Sequence, residues 1–201
     1  MKKNKKLSLK QLTKRKAIIE AAIETFSRRG FHKTKISQIA KTAGVADGTV
    51  YLYFKDKDDL LIKAFEELFG EKLINIQNKI ERETSARDKI LKFIDYHIDL
   101  FTENPSVARF LAIELRQSPD FYESYPEYEP LKKYLDYLKK LADVAIAEGD
   151  IRKVDTEALG YLIFGTMDFL LTEWSTRNQK FSLQEKKEQI VDIVRNGIKV
   201  K

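Results

Sequence analysis

The stretch 34–57, TKISQIAKTAGVADGTVYLYFKDK, decides how the rest of the chain is read. It divides into two short helices joined by a tight turn, and then the start of a third helix. Thr34 is a good N-cap, and Ile36, Ile39 and Ala40 follow at spacings that share one helix face. Gly44 falls where that helix should stop, because glycine takes a left-handed backbone conformation at little cost. Asp47, Gly48 and Thr49 then open a second short helix. Val50, Tyr51, Tyr53 and Phe54 make it too aromatic for a plain solvent-facing one. Ile36, Ile39, Ala40, Val45 and Val50 are expected in the core. Helix, glycine turn and a second helix laid in a DNA major groove is the helix-turn-helix plan, here at about 35–54.

A recognition helix reads base edges with its first turn and fixes its register on phosphates. Asp47 can accept from cytosine N4 but repels a phosphate. Gly48 lets the backbone come close to the bases. Tyr51 and Tyr53 can bond phosphates through their hydroxyls or touch a thymine methyl. Thr34 and Lys35 can hold a phosphate at a positive helix end, and Ser37 lies one turn further on. Lys55 and Lys57 flank the next helix, and Lys55 equally suits a solvated surface position. Tyr51 and Phe54 also fit packing against the preceding helix.

The run AKTAGVADGTVYLYFKDKDDLL resembles the signature of the TetR-type bacterial transcriptional regulators, close to IAxxAGVSxGTxYxYFxxKxxLL. Thirteen positions fall on it, from Ile39 to Leu61, in roughly the first third of the chain. Asp47 stands where many members carry Lys, Arg or Ser, which bears on base preference. The resemblance implies that Lys57 contacts the DNA backbone and that Thr49 and Tyr51 lie at the interface.

The charge distribution agrees. Residues 1–60 hold 15 Lys and Arg against 6 Asp and Glu, whereas residues 61–201 hold 22 against 25. The overall +6 therefore belongs to the N-terminal third. Lys2, Lys3, Lys5, Lys6, Lys10, Lys14, Arg15 and Lys16 all precede the first acidic residue. The start of this run, residues 1–12, suits an arm that follows DNA phosphates or enters a minor groove; a solvated tail is the plainer alternative. The start lacks an apolar h-region, and no apolar run approaches the roughly 20 residues of a membrane span. With no cysteine, disulfides and thiolate chemistry are excluded, and a cytoplasmic location is expected.

Periodicity predicts nine helices and an all-α protein. A first helix over 13–29 carries Ile18, Ile19, Ala22, Ile23 and Phe26. After the helix-turn-helix pair, a long helix capped by Asp56 runs to about residue 81 and suits a lever between two domains, 13–70 and 71–201. Helices follow over 85–102, 105–117, 126 or 129 to 148, 155–176 and 182–198, the last two capped by Asp155 and by Ser182 with Glu185, and the last carrying Ile190, Ile193, Val194 and Ile198 as its apolar stripe. The segment SPDFYESYPEYEP between the sixth and seventh is expected as loop.

The C-terminal domain is expected to hold an effector and to dimerise. Phe93, His97, Phe101, Phe110, Leu111, Tyr134, Leu138, Phe164 and Met167 suit the wall of an apolar pocket, and each equally suits an ordinary core position. Arg116, in IELRQS, wants an anionic partner: a ligand, or a carboxylate such as Glu114. The last two helices are the candidate homodimer contact, through Leu162, Phe169, Trp174, Ile190, Val194 and Ile198. Two from each subunit make a four-helix bundle, and Gly160 and Gly165 allow close approach.

The whole chain resembles the FadR-type branch of the family, on GVADGTVYLYFKDKDDLL, LAIELRQS and IFGTMDFLLTEW. That implies a repressor of fatty-acid degradation genes, released from a palindromic operator by long-chain acyl-CoA. The acyl tail would lie among the apolar residues, with Arg116 near the anionic CoA part. Two other classes fit an all-α body: a small enzyme, or a binding scaffold without a DNA role. Against the enzyme, the chain offers only His32 and His97 and no catalytic, cofactor or metal-ligand spacing. Against the scaffold stand the charge asymmetry and the helix-turn-helix signature.

Overall fold

The computed structural model describes residues 8–102, 105–114, 119–176 and 180–200. Among them it contains ten α-helices and no strand. In order these are α1 (Leu9–Arg29), α2 (Ile36–Thr42), α3 (Asp47–Tyr51), α4 (Lys57–Ile80), α5 (Ala86–Thr102), α6 (Pro105–Glu114), α7 (Pro119–Ser124), α8 (Lys132–Ala147), α9 (Thr156–Thr176) and α10 (Leu183–Gly197). The chain separates into two compact units, Met1–Glu67 and Leu68–Lys201. The all-helical class expected from the sequence is the class observed.

In the first unit, α2 packs on both α1 and α3. Ile18, Ala22 and Phe26 of α1, Ile39 and Ala40 of α2, Val50 of α3, and Phe54 form a dry core. Leu60, Leu61, Ala64 and Phe65 on the first turns of α4 are equally buried. Gly44 ends α2 with φ +67, and the Val45 N–H returns to the Ala40 carbonyl at 3.0 Å. A side chain in that left-handed conformation would be strained, which is why a glycine stands there.

Three boundaries differ from the sequence reading, each for a local reason. The first helix begins at Leu9 and not at residue 13, so Lys10 lies on the helix rather than in an arm. Ser8 and Gln11 cap it reciprocally: the Gln11 N–H donates to Ser8 Oγ at 3.3 Å, and the Ser8 N–H donates to Gln11 Oε1 at 2.8 Å. Thr34 does not cap α2. Its hydroxyl donates backwards to the Gly30 carbonyl at 2.8 Å, and Lys35 holds the cap position, its N–H bonded to Gln38 Oε1 at 3.0 Å. The segment expected as loop contains α7, which opens on Pro119 at its first position, where proline's missing donor costs nothing. The helix expected from 126 or 129 then starts only at Lys132.

Other caps follow expectation. The Asp59 N–H donates to Asp56 Oδ1 at 2.8 Å, the Ala158 N–H to Asp155 Oδ1 at 2.8 Å, and the Glu185 N–H to Ser182 Oγ at 3.2 Å. In the second unit α8 and α6 pack on α9, while α5 lies against α8 on one side and α10 on another. No helix among the described residues is long and apolar enough to cross a membrane.

Candidate nucleic-acid interface and effector core

The outward side of the first unit is set by what its inward side buries. Val50 and Phe54 point into the core, and the Arg15 guanidinium lies 5.3 Å from the Phe54 ring centroid while pairing with Glu67. Phe54 is therefore a packing residue. Helical geometry then turns Asp47, Gly48 and Tyr51 outward, and all three are exposed, Tyr51 by 57%. Lys35, Ser37 and Lys55 are exposed as well, and Thr49 and Tyr53 are half-buried.

Two expected DNA-facing residues are turned inward. Thr34 is buried, with its hydroxyl spent on Gly30. Lys57, expected on a DNA phosphate, is half-buried. Its ammonium donates to the carbonyls of Phe31 at 2.9 Å and Thr34 at 3.2 Å, and lies 4.2 Å from the Phe31 ring centroid. It ties the α1–α2 turn to the start of α4. Carbonyls 23 and 26 residues away cannot be found from spacing along the chain. Lys57→Met should therefore lower stability by about 2 kcal/mol. Measured against salt, its DNA affinity should keep the wild-type slope. A lysine that neutralised a phosphate would behave otherwise, its removal flattening that slope by about one unit per subunit.

In the second unit, eight of the expected pocket residues are buried: Phe93, His97, Phe110, Leu111, Tyr134, Leu138, Phe164 and Met167. Several pack on one another. The Tyr134 ring lies 4.7 Å from Phe93, 5.2 Å from Phe69 and 5.2 Å from Phe164, centroid to centroid. Its hydroxyl meets His97 Nδ1. Burial pushes the His97 pKa down to about 3 and the Tyr134 pKa well above its ordinary value. The imidazole is thus neutral at physiological pH, and the phenol and Nδ1 share one hydrogen bond. The two polar groups bond each other inside an aromatic shell. Phe101 lies on α5, but its side chain, like the whole of Arg116, lies outside the described residues.

An open cleft of about 520 Å³ lies elsewhere, between α8, the segment before it and the start of α9. Tyr122, Leu131, Leu135, Lys139, Glu157 and Tyr161 are among its lining, and none of the expected pocket residues is. Among the described residues, no group of three or more His, Asp or Glu is placed to hold a metal ion.

The candidate dimer residues divide. Trp174, Val194 and Ile198 are buried within the subunit and offer no surface. On α10 the inward stripe is Leu183, Lys187, Val191 and Val194, with Ile198 just beyond its end. Lys187 is held there by Asp99 at 2.7 Å and Asp95 at 3.7 Å, both on α5. A charged residue inside the stripe hides its true phase. Ile193, which the helical period alone turns inward, is 67% exposed, and Ile190 is half-buried. On α9, Leu162 and Phe169 are exposed, joined by Tyr161 and by Gly165, where an added Cβ would meet no atom within 4 Å. Gly160 instead faces Leu135 of its own subunit. An apolar face on α9, with Ile193 on α10, is thus left open.

Comparison with known proteins extends over both units. Residues 18–64 match the profile of the bacterial regulatory proteins of the tetR family, and residues 65–197 match that of the YsiA-like protein C-terminal region. The chain is 35% identical over 182 residues to the fatty acid metabolism regulator protein of Bacillus subtilis, covering 90% of this chain and 93% of that one. Its fold is similar to the transcriptional regulator FadR of Bacillus subtilis solved in complex with stearoyl-CoA. The TM-score is 0.83 and the identity 34%, over 91% of this chain and 98% of that one. A similar match is the fatty acid degradation regulator FadR of Bacillus halodurans, at TM-score 0.83 and 31% identity over 92% and 99%.

Proposed function

Because the chain belongs to the TetR family of bacterial regulatory proteins, we propose that it is a homodimeric repressor of fatty-acid metabolism genes, released from its operator by long-chain acyl-CoA. One observation carries this reading: the likeness to the Bacillus subtilis regulator runs end to end, through the DNA-binding unit and the effector unit alike. We assign DNA binding to residues 13–70 and effector binding and dimerisation to residues 71–201. Lys35, Ser37, Asp47, Gly48, Thr49, Tyr51, Tyr53 and Lys55 face the duplex. The protein acts in the cytoplasm, beside its operator, and its role is binding rather than catalysis.

The acyl chain enters the aromatic region between α5, α8 and α9. With Tyr134 packed on Phe69, Phe93 and Phe164, entry requires that ring to move and the His97 bond to open or shift. Arg116 serves the anionic CoA portion. Release follows if acyl-CoA binds the non-operator state better than the operator-bound one, because only differential affinity shifts the equilibrium.

The test is a competition experiment on a duplex selected from random sequence by the purified protein. Stearoyl-CoA should displace the protein from it, with CoA alone far weaker. An Arg116→Gln variant should need several-fold more stearoyl-CoA while holding DNA normally. Stearoyl-CoA failing to displace the protein at saturating concentration would refute the effector assignment and leave DNA binding intact.

A further inference from the structure

On the outward side of α3, one residue is unlike what water would favour. Leu52 follows α3 directly and is 80% exposed, next to Tyr51 at 57%. Its backbone stays helical, φ −72 and ψ −23, and its N–H bonds the Thr49 carbonyl at 3.2 Å. It therefore keeps helical register, one turn beyond Gly48 at i+4. A Cβ built on Gly48 would meet no atom within 4 Å. The surface over Gly48 is thus open, with the exposed Leu52 one helical turn further on.

We propose that Leu52, one turn from the open surface at Gly48, reads the C5-methyl of a thymine in each operator half-site and so determines specificity. This rests on the reading of the first unit as the DNA-binding unit. The major-groove edge of a base pair is a pattern of hydrogen-bond donors and acceptors, and its one apolar feature is the thymine methyl. Leu52 has no hydrogen bond to offer a base or a phosphate, so its favourable contact in the groove is with that methyl. The empty volume over Gly48 gives the methyl room without a collision. Asp47, an acceptor only, lies on a different side of the helix and suits a cytosine N4 on its own account.

The experiment uses duplexes selected from random sequence by the full-length protein, in which each thymine is replaced singly by deoxyuridine. That exchange removes the methyl and keeps the pairing. Burial of one methyl predicts about a four-fold loss of affinity per half-site at one thymine position in the wild type. In Leu52→Ala the thymine and deoxyuridine duplexes should bind equally. Because Leu52 is exposed and outside the core, the variant should melt like wild type. Wild-type indifference at every thymine, or a thymine preference that persists in Leu52→Ala, would overturn the proposal while leaving DNA binding in place. Failure to select any duplex over competitor would overturn the DNA reading itself, and the role of Leu52 with it.

Discussion

A Phe169→Arg substitution is expected to give a folded monomer that has lost its operator, with affinity down by about a thousand-fold or more. Phe169 is 64% exposed on the subunit surface, so the substitution removes nothing from the subunit core. In a two-fold dimer the same patch occurs on both partners, so each substitution acts twice. Leu162, Tyr161 and Ile193 are also more than half exposed, and burying such side chains stabilises by about 1.5–3 kcal/mol each. Two guanidinium groups brought into that interface would be desolvated without partners and would repel each other. A single helix-turn-helix unit then faces one half-site and falls toward non-specific affinity. Sedimentation would show the monomer, circular dichroism an unchanged helix content, and fluorescence anisotropy the lost operator. A dimer that persists in the variant would refute the assignment of this face.

The second large effect concerns acid. His97 has a folded-state pKa of about 3 against an ordinary 6.5. The unfolded chain therefore takes up a proton near pH 6.5 that the folded protein refuses until about pH 3. Stability from this site is fully present above the unfolded value and is lost as pH falls through that window, at about 1.4 kcal/mol per pH unit. Between pH 6.5 and 4.5 the loss should reach about 2 kcal/mol. Carboxylates add their own slopes, so the diagnostic is a difference. His97→Gln keeps a hydrogen-bonding partner for the Tyr134 hydroxyl and removes the titration, so its unfolding free energy should fall less steeply by that amount. Tyr134→Phe should instead leave Nδ1 without its phenol, costing about 1–3 kcal/mol near neutral pH. Parallel pH curves for wild type and His97→Gln would refute the buried, neutral imidazole.

The helix-turn-helix pair is legible in the sequence because its determinants are local. Gly44 must take a left-handed conformation and Val50 and Phe54 must point inward, and both follow from periodicity and backbone sterics. Caps built from residues three apart are legible for the same reason at Asp56, Asp155 and Ser182. Ser8 with Gln11 carries the same signal, masked by the basic run around it, which suggests an arm. Lys57 misleads for a different reason: a lysine next to a DNA-binding motif suggests a phosphate, and its carbonyl partners become neighbours only when the α1–α2 turn meets the start of α4.

The sequence by itself determined the all-helical class, the DNA-reading motif and the apolar character of the second unit. These depend on residue type and on spacings within one or two turns. Tertiary structure alone decided which side of α10 faces inward, because Lys187 is buried only by virtue of Asp95 and Asp99 on another helix. It likewise decided that Tyr134 spends its hydroxyl on His97 and that α9 leaves Phe169 uncovered. Burial and pairing across elements are properties of the packed chain, and a helical period gives a stripe its width without saying which neighbour will cover it.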